Sequence, residues 1–212
     1  MRMKLLLRKL QMDHKEFVTA RELEAYCKSM KLDYDIVLRY FESRRYLLRI
    51  FRGIFYVRSP EEFMLGRTRY NHFELVGKGL ALKKVSNWYF GLHTALKLNN
   101  MTHEHFAIED VVNDKLSRPN PMTIAGSKFK FIKFSPSLLL FGIKKGENGI
   151  RYSDPEKTVL DFIYLWRYNG VPEGKIVADV AEWAEGLSKE KAKSYARKYP
   201  DTVAEIVERV IT

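Results

Sequence analysis

The chain has 212 residues, enough for one large domain or two modest ones, and a 46% hydrophobic content that excludes a disordered chain. The formal charge of +11 is uneven: residues 1–60 hold 14 basic and 7 acidic side chains, 61–150 hold 13 and 8, and 151–212 hold 10 and 11. A cationic front favours a polyanionic partner, because phosphate neutralisation dominates non-specific nucleic-acid affinity, and no stretch has the broad aromatic face of a membrane-surface helix.

MRMKLLLRKL begins like a signal sequence, but Arg8 and Lys9 interrupt its leucines. No later run approaches the roughly twenty apolar residues that span a bilayer, so the expected location is cytoplasmic, with no membrane partner. Residues 3–12 are expected to form a short basic helix that packs through Leu5, Leu6 and Leu10.

From Phe17 to Arg58 the signals come in a purposeful order. Thr19 and Glu22 fit a capping box, so a helix begins near Ala20 and buries Leu23, Tyr26, Cys27 and Met30 on one face. Cys27, the single cysteine, has no disulfide partner and reads as a small core residue. After a polar turn, Asp33 or Asp35 caps a second helix through IVLRYFESRR. Val37 and Phe41 face its core with Ile36 and Tyr40 beside them, leaving Tyr34, Leu38, Arg39, Glu42 and Arg45 nearer the other side. Leu47–Phe51 and Ile54–Arg58 are two β-prone runs around Arg52-Gly53, where glycine supplies the positive φ of a tight hairpin. Helix, turn, basic helix and cationic hairpin is the order of a winged helix-turn-helix, here expected over residues 1–60. Its DNA-facing side chains are expected to be Tyr34, Arg39, Arg44 and Arg45 on the second helix and Arg49, Arg52 and Arg58 on the wing.

Ser59-Pro60 breaks the last strand, and with Glu62 it starts a helix expected to run to Val76 before Gly77 and Gly79 end or loosen it. NWYFGLHTALKL, from Asn87, reads as a further helix stopped by Asn99-Asn100. From Phe106 the period changes. FAIEDVVNDK, MTIAG, KFKFIKF and SLLLFGI suggest a small antiparallel sheet, with Phe129 and Phe131 inward, Lys128, Lys130 and Lys133 outward, and a bulge near Ile132. Ser153 or Asp154 then caps a helix through KTVLDFIYLWRYN, and VADVAEWAEGL, SKEKAKSYARKY and DTVAEIVERVI follow as three amphipathic helices. The expected fold class is α+β, with residues 61–212 forming a mixed C-terminal domain.

The wing RRYLLRIFRGIFYV, the segment GLHTALKL and above all SDPEKTVLDFIYL after a small sheet resemble the AbiEi-type transcriptional regulators, antitoxins of type IV abortive-infection toxin-antitoxin pairs. The resemblance runs over nearly the full length. It implies an N-terminal DNA-binding domain acting on the protein's own promoter and a C-terminal domain needed for antitoxicity. It also implies functional pairing with a nucleotidyltransferase-like toxin. Winged helices often bind as dimers, so a homodimer on DNA is one assembly the reading allows, although the sequence shows no heptad seam and does not itself give the oligomeric state.

Catalytic alternatives are weaker. Asp154, Glu156, Lys157 and Asp161 invite a metal-dependent nuclease, but helix capping explains the first two carboxylates and Asp161 lies almost two turns on. His93 lacks a second ligand at helical spacing, and His103 with His105 lacks a third. The chain has no phosphate loop, zinc-protease motif or nucleophile elbow, so no enzyme, catalytic residue, cofactor or metal is expected. An RNA-binding or protein-interaction scaffold built on the winged helix is the alternative.

Overall fold

The computed structural model describes residues 2–211, which form an α+β fold of two compact units. One unit holds residues 2–84 with 123–127, and the other holds 85–122 with 128–211.

In the first unit, α1 (Arg2–Met12) buries Leu6, Leu7 and Leu10. Leu5, expected inside, is 47% exposed, because Leu7 shares the buried stripe of Leu6 and Leu10. A three-residue strand, β1 (Phe17–Thr19), leads into α2 (Ala20–Ser29), whose capping box is closed at both ends by Thr19 and Glu22. Lys31 at φ +56 turns the chain, and Asp33 caps α3 (Tyr34–Ser43) by accepting from the Ile36 amide at 2.9 Å. Then come β2 (Leu47–Phe51) and β3 (Ile54–Val57), joined at Arg52-Gly53, where Gly53 sits at φ +74. The sheet order is β1-β3-β2, all antiparallel, with an irregularity between Arg49 and Phe51. Leu6, Leu10, Val18, Leu23, Cys27, Val37, Phe41 and Phe55 form the core, each large side chain contributing about 1.5–3 kcal/mol by burial.

The break at Ser59-Pro60 does not end this unit. Ser59 and Glu62 form a capping box over α4 (Pro60–Met64), only five residues long, and Asn71 with Glu74 caps a separate α5 (His72–Leu82). The single helix expected from Ser59 to Val76 is thus two. Gly77 and Gly79 lie inside α5 rather than ending it, and Gly79 is there for space. A Cβ at that position would stand 2.6 Å from Ile50 Cγ2 and 2.8 Å from the Phe51 ring, so only glycine lets α5 lie this close to β2. That packing carries the first unit to Lys84.

The second unit begins with β4 (Trp88–Phe90), a strand where a helix was expected, followed by α6 (Leu92–Leu98). β5 (Ile108–Asn113), β7 (Ser127–Lys133), β8 (Ile143–Lys145) and β9 (Arg151–Ser153) follow, while Thr123 and Ile124 of the short β6 (Met122–Ile124) belong to the first unit. Five strands run in the order β7-β5-β4-β9-β8. The sheet is mixed rather than antiparallel: β5 runs parallel to β7 and β4 parallel to β9, while β4/β5 and β8/β9 are antiparallel. Pairing of β5 with β7 is continuous from Ile108↔Lys128 to Asn113↔Lys133, with no bulge at Ile132. Only part of SLLLFGI becomes strand, since Leu138 and Leu139 fall in a short 3-10 turn at Pro136–Leu139.

Asp154 caps α7 (Pro155–Tyr168), which is packed by α6 and by α8 (Glu173–Ala184), α9 (Lys189–Ala196) and α10 (Asp201–Val210). Val159, Leu160, Phe162 and Ile163 are buried at its centre. Among the described residues no helix is long and apolar enough to cross a membrane.

Candidate nucleic-acid interface

The turn Lys31–Asp33 sets α3 against α2, with Val37 and Phe41 fully buried. Tyr34, Leu38 and Tyr40 pack at the rim of that core. Ile36, expected beside them, is 55% exposed. The outward face of α3 is therefore Asp35, Ile36, Arg39 and Ser43, a narrower strip than expected, because Tyr34 and Leu38 turn toward the core. Burial raises the Tyr34 phenol above its ordinary range, leaving its hydroxyl neutral.

The expected arginines divide into two groups. Arg39 is exposed on α3, and Arg52 is exposed at the hairpin tip. Arg44 and Arg45 lie beyond the helix, which ends at Ser43. Arg44 sits 5.9 Å from the Tyr40 ring centre, and Arg45 turns the chain at φ +58, with both side chains in solvent. None of these four forms an ion pair among the described residues.

The other two wing arginines are used inside the unit. Arg49 reaches from β2 to both carboxylate oxygens of Glu42 on α3, at 2.8 and 3.0 Å, and lies 5.2 Å from the Phe55 ring centre. Its pKa is raised chiefly by that carboxylate. Arg58 is buried, donates from Nη2 to the Glu62 carbonyl, and stacks over Phe63. A guanidinium with those commitments cannot also reach a phosphate, so Arg58 leaves the expected DNA-facing set and Arg49 serves first as a strut.

One cation was missed. The Ala20 amide donates to the Gly53 carbonyl at 2.9 Å, and Thr19 pairs with Ile54, so the hairpin tip is fixed to the first turn of α2. Exposed Arg21 and Arg52 are the chain neighbours of that bonded pair. Only β1 brings them together, and three residues of strand leave no periodic signal.

The acidic cluster of the second unit is a buried clamp. Lys157 Nζ lies 3.0 Å from Asp161 Oδ1 and donates to the Tyr199 hydroxyl at 3.0 Å. Asp161 also accepts from Tyr199 at 2.6 Å and Tyr89 at 2.7 Å. Burial lowers the Lys157 pKa and raises that of Asp161, their mutual attraction opposing both shifts. Asp154 accepts from Tyr195, and Lys191 bridges Asp154 at 3.0 Å and Glu156 at 2.7 Å. Each carboxylate is occupied by a structural donor, which is not the open face a catalytic cation requires.

His93 Nδ1 meets Asp110 Oδ2 at 2.9 Å, while His103 and His105 are exposed outside any helix or strand. Among the described residues no group of three or more His, Cys, Asp or Glu side chains is placed to hold a metal ion.

No protein-family model matches the chain, and no curated protein matches it. Among solved structures it is similar to the crystal structure of the RV2827C protein from Mycobacterium tuberculosis, with a TM-score of 0.60 at 12% identity, over 97% of this chain and 74% of that one. At that identity the likeness shows a shared fold and nothing further.

Proposed function

We propose that the protein is a sequence-specific DNA-binding transcriptional regulator whose first unit is a winged helix-turn-helix, with α3 as recognition helix and the β2–β3 hairpin as wing. The observation that carries this is the pairing of a particular element order with exposed cations. Helix, strand, helix, helix and hairpin, with β1 completing the sheet in the order β1-β3-β2, leave Arg39 on α3 and Arg52 on the hairpin without internal counter-ions. In such a fold α3 enters the major groove and the wing lies along the neighbouring backbone. Arg39 then reads a base edge or phosphate, Arg44 and Arg45 reach the backbone beyond the helix, and Arg21 joins Arg52 at the wing.

The protein's own upstream region is the proposed target, and an AbiEi-type antitoxin paired with a nucleotidyltransferase-like toxin is the proposed setting. A homodimer on DNA would match two half-sites. Footprinting on the upstream region, with RNA and random duplex as competitors, tests this. A protected site that survives both competitors supports it, and preferential displacement by RNA would favour the RNA-binding alternative. The toxin pairing is tested separately, by co-expressing the chain with the product of an adjacent nucleotidyltransferase-like gene and scoring growth.

A further inference from the structure

The second unit contains a hollow of about 580 Å³ between β7, the loop that follows β5 and the end of α7. Its size falls within the range of small-molecule sites. Arg118, Lys130 and Lys133 line it, and no Asp or Glu does. None of the three makes an ion pair among the described residues. Uncompensated cations gathered around one concavity favour an anion with several charges.

The cationic loop is built rather than loose. Asn113, fully buried on β5, accepts from the Lys115 and Leu116 amides and donates to the carbonyls of Leu116 at 2.9 Å and Ile132 at 3.2 Å. The Arg118 amide adds a bond to the Phe131 carbonyl at 3.3 Å. One buried side chain thus fixes the loop bearing Arg118 against the strand bearing Lys130 and Lys133.

The opposite wall is aromatic. Tyr164 and Tyr168, one turn apart on α7, have ring centres 6.4 Å apart and planes 32° from each other. Tyr164 is held edge-on by Phe134 at 5.0 Å. Tyr168 is 80% exposed, and its hydroxyl bonds nothing among the described residues. An open ring beside a more buried one, facing a cationic rim, offers a planar group somewhere to stack and a phosphate somewhere to pair.

We propose that this hollow binds a phosphorylated nucleoside, with the base on Tyr168 and the phosphates at Arg118, Lys130 and Lys133. The ligand is either a free nucleotide or the end of a single strand. The site lies wholly within the second unit and does not depend on duplex binding by the first.

The test is titration calorimetry of the full chain with three probes: adenosine triphosphate, inorganic tripolyphosphate and a six-nucleotide single-stranded DNA. Saturable binding of adenosine triphosphate is expected, with tripolyphosphate weaker by about tenfold for lack of a base to stack. Tyr168→Ala should weaken adenosine triphosphate by about the same factor without changing tripolyphosphate, and Tyr168→Phe should bind normally. Lys130→Ala with Lys133→Ala should weaken all three probes. These side chains are exposed, and a thermal melt checks that each variant stays folded. The Arg39→Ala, Arg52→Ala variant should bind adenosine triphosphate unchanged, which separates this site from the duplex interface. Tighter binding of the oligonucleotide than of adenosine triphosphate, through the same residues, assigns a strand; equal or weaker binding assigns the free nucleotide. Equal affinity for tripolyphosphate and adenosine triphosphate, no saturation with any probe, or binding indifferent to the Lys130 and Lys133 substitutions would overturn the proposal.

Discussion

Arg49 and Glu42 share a two-pronged ion pair, Nε to Oε1 at 2.8 Å and Nη2 to Oε2 at 3.0 Å, that ties β2 to α3. A cation expected to face DNA is thus spent holding the hairpin beside the helix, whereas Arg52, three residues on, points into solvent without a carboxylate. The two should behave differently. Arg52→Ala should weaken binding to all duplexes alike and reduce the salt slope by about one unit, as one lost phosphate contact does. Arg49→Ala should cost only about 0.2–1 kcal/mol of stability, the pair being partly exposed, and leave the slope nearly unchanged. Binding isotherms at several salt concentrations, with a urea melt of each variant, check both.

The start of α2 carries a pH dependence. Glu22 is held below its ordinary 4.5 chiefly by the Thr19 amide, with Lys15 adding to that and burial opposing it. A depressed carboxyl contributes stability that is present above its unfolded pKa and lost as pH falls through the folded one. The wild type should therefore lose stability below about pH 4.5, and Glu22→Gln should lose less over the same interval. The side chain is 41% exposed, so solvent screens part of the effect. Urea midpoints of both proteins between about pH 7 and about pH 3 measure it.

Gly79 tests where the first unit ends. Gly79→Ala forces a methyl into Ile50 and Phe51, and overpacking of this kind costs about 1–3 kcal/mol. Ala81→Gly, on an exposed part of the same helix, should cost about 1 kcal/mol or less, reflecting helix propensity alone. If the two substitutions destabilise equally, close contact between α5 and β2 is not what demands glycine.

How much of this was legible in the sequence follows from the range of the forces involved. Caps are local, and Thr19/Glu22, Asp33, Ser59/Glu62 and Asp154 each start a helix where their residue types indicate. The Arg52-Gly53 turn is local too. The outward faces were not. Ile36 and Leu5 were assigned to the core by spacing, yet Leu38 and Leu7 are the more enclosed, because a helix can rotate by one position without changing its periodicity. Gly77 and Gly79 read as helix breakers, although Gly79 is demanded by Ile50 and Phe51 of the hairpin, far off in sequence. Whether Arg49 or Arg52 would be free depended on Glu42, seven residues from Arg49 on a different element. No sequence window contains that information.

The Lys157–Asp161 pair shows what the SDPEKTVLD segment does. Lys157→Met leaves the buried Asp161 carboxylate with the Tyr89 and Tyr199 hydroxyls and no cation, a loss of about 3–5 kcal/mol. Lys157→Met combined with Asp161→Leu should recover most of it, since an apolar pair of similar size removes the stranded charge. Thermal melts of the single and double variants separate a structural clamp from a catalytic dyad, for which stability and function would part company.

The central claim is that α3 reads a duplex with Arg39 while the wing grips its backbone with Arg52. Its most direct test is the affinity of the full chain for its own upstream DNA, compared between wild type and Arg39→Ala across single-base variants of the protected site. The expected result is a loss of about 1–3 kcal/mol confined to one base pair, which the variant no longer distinguishes. A uniform loss across every base variant, or no protected site at all, would contradict it.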